Sequence, residues 1–203
     1  MLLYSLDLLG TGVFAVTGAM VAARRNMDLF GALVLAFVTA VGGGTIRDAI
    51  LGSTPVFWVH DTNYLTVICL ATALTLAGKA WWHKTRHVVM LLDALGLGVF
   101  VVIGVEKVLS MQLDPMVAIL MGVLTGAGGG VIRDVLAGRV PMVLRSEIYA
   151  TAAIAGGILY IVMYDVGVSR SIVAIACASS VFVLRLLAIY CNFSLPKVTA
   201  QSS

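Results

Sequence analysis

Long apolar runs separated by short polar breaks occupy almost the whole chain. Seven runs approach the roughly 20 residues that a helix needs to cross a bilayer. They are Leu3–Ala23, Leu29–Leu51, Tyr64–Trp82, Val88–Val108, Pro115–Ala137, Ile148–Tyr164 and Ser171–Tyr190. The residue-by-residue alternation of a barrel strand is absent. Pro55, Pro115, Pro141 and Pro196 fall at or beyond run ends, where helix punctuation belongs. The pattern predicts an all-α integral membrane protein with seven transmembrane helices.

Composition agrees. Of 203 residues, 61% are hydrophobic and 11% charged, against about 25% charged in soluble domains. Mean hydropathy is +1.06, and the spans leave no room for a soluble domain. The net charge of +3 matters less than its placement. Arg24/Arg25, Lys84/Arg86, Arg139/Arg145 and Lys197 all fall on one side if every run crosses; Arg170 and Lys107 fall on the other. The positive-inside rule then gives an extracytoplasmic N-terminus and a cytoplasmic C-terminus. Clusters spaced this way report topology, and nucleic acid is not an expected partner. Arg24-Arg25 follows the first run with no small-residue cleavage site before it, so the run reads as a retained span. Cys69, Cys177 and Cys191 have no metal or disulfide spacing and read as buried small apolar residues. His60, His83 and His87 sit in loops or at span ends. No metal or cofactor is expected, and no nucleophile–base pattern suggests an enzyme.

The runs repeat. Shifting the chain by 86 residues, the distance from Asp48 to Asp134, lays the first three runs over the next three without a gap through Pro55 and Pro141. Asp7-x-Leu9-Gly10-x-Gly12-Val13-Phe14-x-Val16-x-Gly18 matches Asp93-x-Leu95-Gly96-x-Gly98-Val99-Phe100-x-Val102-x-Gly104. Asp28 meets Asp114, Thr39 meets Thr125 and Gly52 meets Gly138. The organisation read from this is a first repeat over 1–83, a second over 87–168, a seventh helix over 169–192 and a cytoplasmic tail over 193–203. Three crossings per repeat put the second repeat into the membrane upside down, with a pseudo-twofold axis in the membrane plane.

The densest match is Gly42-Gly43-Gly44-Thr45-Ile46-Arg47-Asp48 with Gly128-Gly129-Gly130-Val131-Ile132-Arg133-Asp134. Each glycine costs a helix about 1 kcal/mol relative to alanine, so both runs are expected to break there. Freed carbonyls facing a polar path could hold a dehydrated cation, helped by hydroxyls of Thr39, Thr45 and Thr125; freed amides could hold a carboxylate. The bland reading is close helix packing beside a neutralised ion pair. Arg47 and Asp48, like Arg133 and Asp134, either pair with each other, pair across the pseudo-twofold, or gate a path by parting. Leucine at Gly43 or Gly129 is expected, on the pore reading, to lower permeation more than folding. Asp7 and Asp93 read as charges opening helices 1 and 4, with pore lining as the alternative. Glu106-Lys107 reads as a regulatory pair, with Lys107 either snorkelling or projecting into a pore. Arg185 reads as snorkelling to the cytoplasmic face or binding a lipid phosphate.

Paired Gly-Gly-Gly-x-Ile-Arg-Asp motifs, the three-plus-three repeat and a seventh span resemble the prokaryotic relatives of the trimeric intracellular cation (TRIC) channels. That group is also labelled as a glycine-transporter or uncharacterised membrane-protein family. The resemblance implies a homotrimer with one pore per protomer, lined at Gly42–Gly44 and Gly128–Gly130, passing monovalent cations, chiefly K+, in a bacterial or archaeal plasma membrane with bound lipid. Animal members carry Lys-Glu-Val on span 4, where this chain has Glu106-Lys107-Val108. A secondary carrier for glycine or another small neutral amino acid is the competing function.

Overall fold

A computed structural model describes residues 1–78, 85–145 and 148–191. Trp82, His83, Lys84, the Arg86 side chain, Pro196, Lys197 and the tail over 193–203 lie outside the described residues. The helices are α1 (Leu2–Arg24), α2 (Leu29–Ile50), α3 (Phe57–His60), α4 (Asn63–Ala77), α5 (Thr85–Ser110), α6 (Pro115–Leu136), α7 (Met142–Arg145), α8 (Ala150–Asp165) and α9 (Arg170–Cys191).

Five of them, α1, α2, α5, α6 and α9, are long and apolar enough to cross a membrane. Helices α4 and α8, of 15 and 16 residues, are apolar but shorter. At 1.5 Å per residue they rise about 22–24 Å, less than the roughly 30 Å hydrocarbon core. The four-residue helices α3 and α7 precede them; neither is visible in the sequence, because four residues are too few to show a period. Large apolar side chains such as Leu9, Leu74, Leu120, Ile158, Ile175 and Leu187 stay exposed on the outer surface, as lipid-facing positions require. Cys69 and Cys191 share that exposure and Cys177 is buried, which corrects the expectation of three buried thiols.

Local chemistry sets the helix starts. The Asp28 carboxylate accepts from the Gly31 N–H at 2.7 Å, and its repeat mate Asp114 accepts from Met116 N–H at 2.7 Å. Each satisfies one of the donors that a helix N-terminus leaves unpaired. Pro115, in the first turn of α6, lacks an N–H that would otherwise need a partner.

The two repeats meet by reciprocal contacts. A Cβ on Gly43 would collide with the Thr125 carbonyl oxygen, and one on Gly129 with that of Thr39. A Cβ on Gly96 would enter the Phe14 ring, and one on Gly10 would lie 3.2 Å from the Phe100 ring. In both pairs of helices one residue number rises as its partner's falls, so α2 runs antiparallel to α6 and α1 to α5. Helix α9 packs on α5 and α8, where Gly98 meets Ala178 and Gly156 meets Val181.

One expectation fails here. Helices α2 and α6 continue through their glycine triplets without a break. The glycines let two backbones touch: a Cβ on Gly128 would lie 2.9 Å from the Gly43 Cα. Close contact along a small-residue seam offsets the helix penalty of glycine, and continuous helices keep the carbonyls in their own ladders. The freed backbone ligands expected from a break are therefore not supplied.

Candidate functional site

The residues after each glycine triplet fold into the same device twice. Asp48 Oδ1 accepts from Arg47 Nε at 2.8 Å, and its Oδ2 accepts from the Phe57 N–H at 3.1 Å. Asp134 Oδ1 accepts from Arg133 Nε at 3.0 Å, and its Oδ2 from the Met142 N–H at 3.0 Å. One carboxylate thus holds its neighbouring arginine and tethers the short helix beyond the turn. The turn passes through Gly52 at φ +66° and Gly138 at φ +63°, a left-handed conformation that glycine adopts without strain. The Ser53 and Arg139 amides close it by donating to the Asp48 and Asp134 carbonyls at 2.8 Å each. Each arginine pairs inside its own repeat, and the alternative of pairing across the pseudo-twofold is not the one adopted.

Arg133 is held further. Its Nη1 donates to Asp93 Oδ1 at 2.9 Å and to Thr17 Oγ1 at 3.0 Å, with all three residues fully buried. Asp93 lies well inside α5, so it is a buried counter-ion and not the helix-opening charge expected. Asp7 also lies past the first turn of α1, where it accepts from the Tyr64 hydroxyl at 2.8 Å. The mate of Thr17 is Ile103, so no hydroxyl stands in the equivalent place for Arg47.

Two cavities flank these devices at opposite ends of the bundle. One of about 500 Å³ is lined by Arg24, Arg133, Asp134, Arg139, Arg145 and Arg185, with Val21, Val89 and Met90. The other, of about 280 Å³, is lined by Tyr4, Asp7, Arg47, Glu106, Lys107 and Ser110, with Leu3, Phe57 and Ile103. They are repeat mates: Leu3, Tyr4, Arg47, Lys107 and Ser110 correspond to Val89, Met90, Arg133, Val21 and Arg24. The first cavity is strongly cationic, and the second mixes two acids with two bases.

Glu106 accepts from Tyr160 on α8 and from Arg170 Nη1 at 3.0 Å, tying α5 to α8 and α9. Lys107 lines the mixed cavity. Arg185 does not snorkel: it is buried, with its guanidinium 4.6 Å from the centre of the Tyr149 ring, and it borders the arginine cavity. In the loops, the Tyr4 hydroxyl at 2.6 Å and the Asn63 amide hold the Asp61 carboxyl below its ordinary range. Burial, then the charges of Arg25 and Arg24, lowers the Arg139 guanidinium. The hydroxyls of Thr39, Thr45 and Thr125 donate to the carbonyls of Leu35, Val41 and Met121 in their own helices at 2.5, 2.8 and 2.5 Å. Thr45 also accepts from Trp58 Nε1 at 3.0 Å.

A family profile described as Glycine transporter matches residues 4–80 and again 90–165, so the profile itself is one repeat. The chain is 53% identical over 201 residues to a UPF0126 membrane protein of Vibrio cholerae, covering 96% of this chain and 82% of that protein. It is 51% identical over 165 residues to the UPF0126 inner membrane protein YadS of Escherichia coli, covering 81% and 80%. A crystal structure of the TRIC trimeric intracellular cation channel orthologue from Rhodobacter sphaeroides matches with a TM-score of 0.86 at 38% identity, over 94% of this chain and 98% of that one. The chain belongs to the TRIC and UPF0126 family. Its solved TRIC relatives are channels and not enzymes.

Reading the TRIC motif from sequence located Arg47, Asp48, Arg133 and Asp134 but missed what the aspartates tether. It also missed Asp93, Thr17 and Tyr149 around the second arginine. Asp93 was visible as the mate of Asp7; nothing in the spacing distinguished Thr17 or Tyr149 from other apolar-segment residues.

Proposed function

We propose that this protein is a potassium-permeable channel for monovalent cations, with one path in each protomer of a homotrimer. The observation that carries the reading is the pair of repeat-related polar cavities at opposite ends of one bundle, in a chain whose solved relative is described as a cation channel. The path runs from the mixed cavity past the α2–α6 crossing to the arginine cavity. Gly42, Gly43, Gly44, Gly128, Gly129 and Gly130 form its narrow middle, with Thr39, Thr45 and Thr125 as the nearest side-chain oxygens. Because the helices are continuous, threonine hydroxyls rather than backbone carbonyls are the ligands for a dehydrated ion. The ion pairs of Arg47 with Asp48 and of Arg133 with Asp134 bound the two ends, and their parting opens the path. With seven crossings of a plasma membrane, the placement of Arg24, Arg139 and Arg145 supports an arginine cavity that faces the cytoplasm. Lipids contact the outer surface, with Glu106, Lys107 and Arg185 as the regulatory candidates.

Purified protein reconstituted in a planar bilayer with KCl should give unitary current steps, larger for K+ than for an organic cation such as N-methyl-D-glucamine. Saturable glycine uptake into vesicles without unitary current would overturn the channel and favour a carrier.

A further inference from the structure

The Gly-x-Gly-Val-Phe stretch that opens each repeat has no part in the path so far. Phe14 and Phe100 are repeat mates, as are Gly10 and Gly96. On a helix, residues four apart share a face. Each of α1 and α5 therefore presents a notch, the glycine, one turn before a ring. Because the helices are antiparallel, each ring enters the other's notch. The Phe14 ring occupies the space where a Gly96 side chain would stand, and the Phe100 ring packs at Gly10. The rings meet on the pseudo-twofold axis with centroids 5.0 Å apart and planes tilted by 52°. Both residues are buried, and Phe14 also lies 3.3 Å from where a Cβ of Gly129 would be, against the α2–α6 crossing.

The surroundings give the pair its meaning. On α1, Asp7 borders the mixed cavity and Thr17 holds Arg133 of the arginine cavity, with Phe14 between them. On α5, Asp93 and Ile103 bracket Phe100 in the inverted order. The charged groups that line the two cavities lie on either side of the two rings. Apolar constrictions exclude ions by expelling water from a narrow passage.

We propose that Phe14 and Phe100 form the seal of the permeation path, a two-ring apolar septum on the repeat axis that separates the two cavities and that both halves release together. This assignment rests on the path proposed above. The two rings lie between the cavities and line neither of them.

The test uses full-length protein with Cys69→Ser, Cys177→Ala and Cys191→Ser, and a probe cysteine, Met90→Cys, in the arginine cavity. A charged, membrane-impermeant methanethiosulfonate reagent is added from the mixed-cavity side of vesicles of defined sidedness, and K+ flux is measured on the same preparation. Phe14→Ala or Phe100→Ala should speed labelling of the probe severalfold and raise flux per folded complex. The double variant should add little to either single one, because a septum is lost with its first ring. If alanine lowers the yield of folded protein, Phe14→Val and Phe100→Val serve, since they shorten the side chain and keep it apolar. Phe14→Leu, which refills the space, should behave as the parent does. Equal labelling rates with and without the rings in folded variants would overturn the seal. Faster labelling without any K+ flux in parent or variant would keep the seal and remove the cation channel.

Discussion

Arg133 has two carboxylates within 3.0 Å, Asp93 and Asp134, and a hydroxyl from Thr17. Arg47 has one ion pair, with Asp48 at 2.8 Å. Removing one member of a buried ion pair costs about 3–5 kcal/mol, mostly because the other charge is left unpaired. Arg133→Gln strands two buried acids and should exceed that range. Arg47→Gln strands Asp48 alone and should fall within it. Asp93→Asn leaves Arg133 with Asp134 and should cost clearly less. Thermal unfolding in mild detergent orders the three; Arg47→Gln proving the most damaging would break the account. The motif made the arginines and their adjacent acids legible. The third partner was hidden, because a counter-ion 40 residues away leaves no local pattern, and only the match between Asp7 and Asp93 pointed towards it.

At the scale of elements, the α2–α6 crossing sets what glycine replacement costs. Alanine at Gly43 would gain about 1 kcal/mol of helix propensity. Its methyl would strike the Thr125 carbonyl, and overpacking costs about 1–3 kcal/mol, more where backbone must move. The clash wins, so Gly43→Ala and Gly129→Ala should lose melting temperature and assembly. Gly42→Ala should be milder, since its nearest neighbour is the flexible end of Ile132 at 2.5 Å. Folded yield and melting temperature of the three variants check the order, and a Gly43→Ala protein as stable as the parent would mean the crossing is looser than described. The long helices were readable because apolar runs are long and proline falls at their ends. The continuity of α2 and α6 was not, because intrinsic propensity reports the isolated helix and the deciding contact comes from the opposite repeat. The tethered α3 and α7 were equally hidden, since their anchor is a side chain eight or nine residues upstream.

For the molecule as a whole, Arg24, Arg139 and Arg145 gather at one end, and Glu106 meets Arg170 at the other. In intact cells, Asn26→Cys and Val140→Cys should resist a membrane-impermeant thiol reagent, whereas His60→Cys and Val168→Cys should react, with native cysteines replaced. A mixed pattern would remove the assigned orientation. The duplication itself was legible from the gapless 86-residue match; what differs between its copies was not, since an apolar-for-polar exchange such as Ile103 for Thr17 passes unnoticed in a hydropathy trace. The unequal positions carry a thermodynamic consequence. A chain made of two identical inverted halves would have two arrangements of equal energy, related by trading the roles of the halves. In one, Arg133 holds the extra acid; in the other, Arg47 would take Asp7 as its own. Every contact shared by both copies cancels from the difference between these arrangements. The bias towards the one described therefore resides in unmatched residues, among them Thr17, whose hydroxyl has no counterpart at Ile103, and Tyr64, whose bond already occupies Asp7. A single substitution at such an unmatched position shifts the balance between the two arrangements.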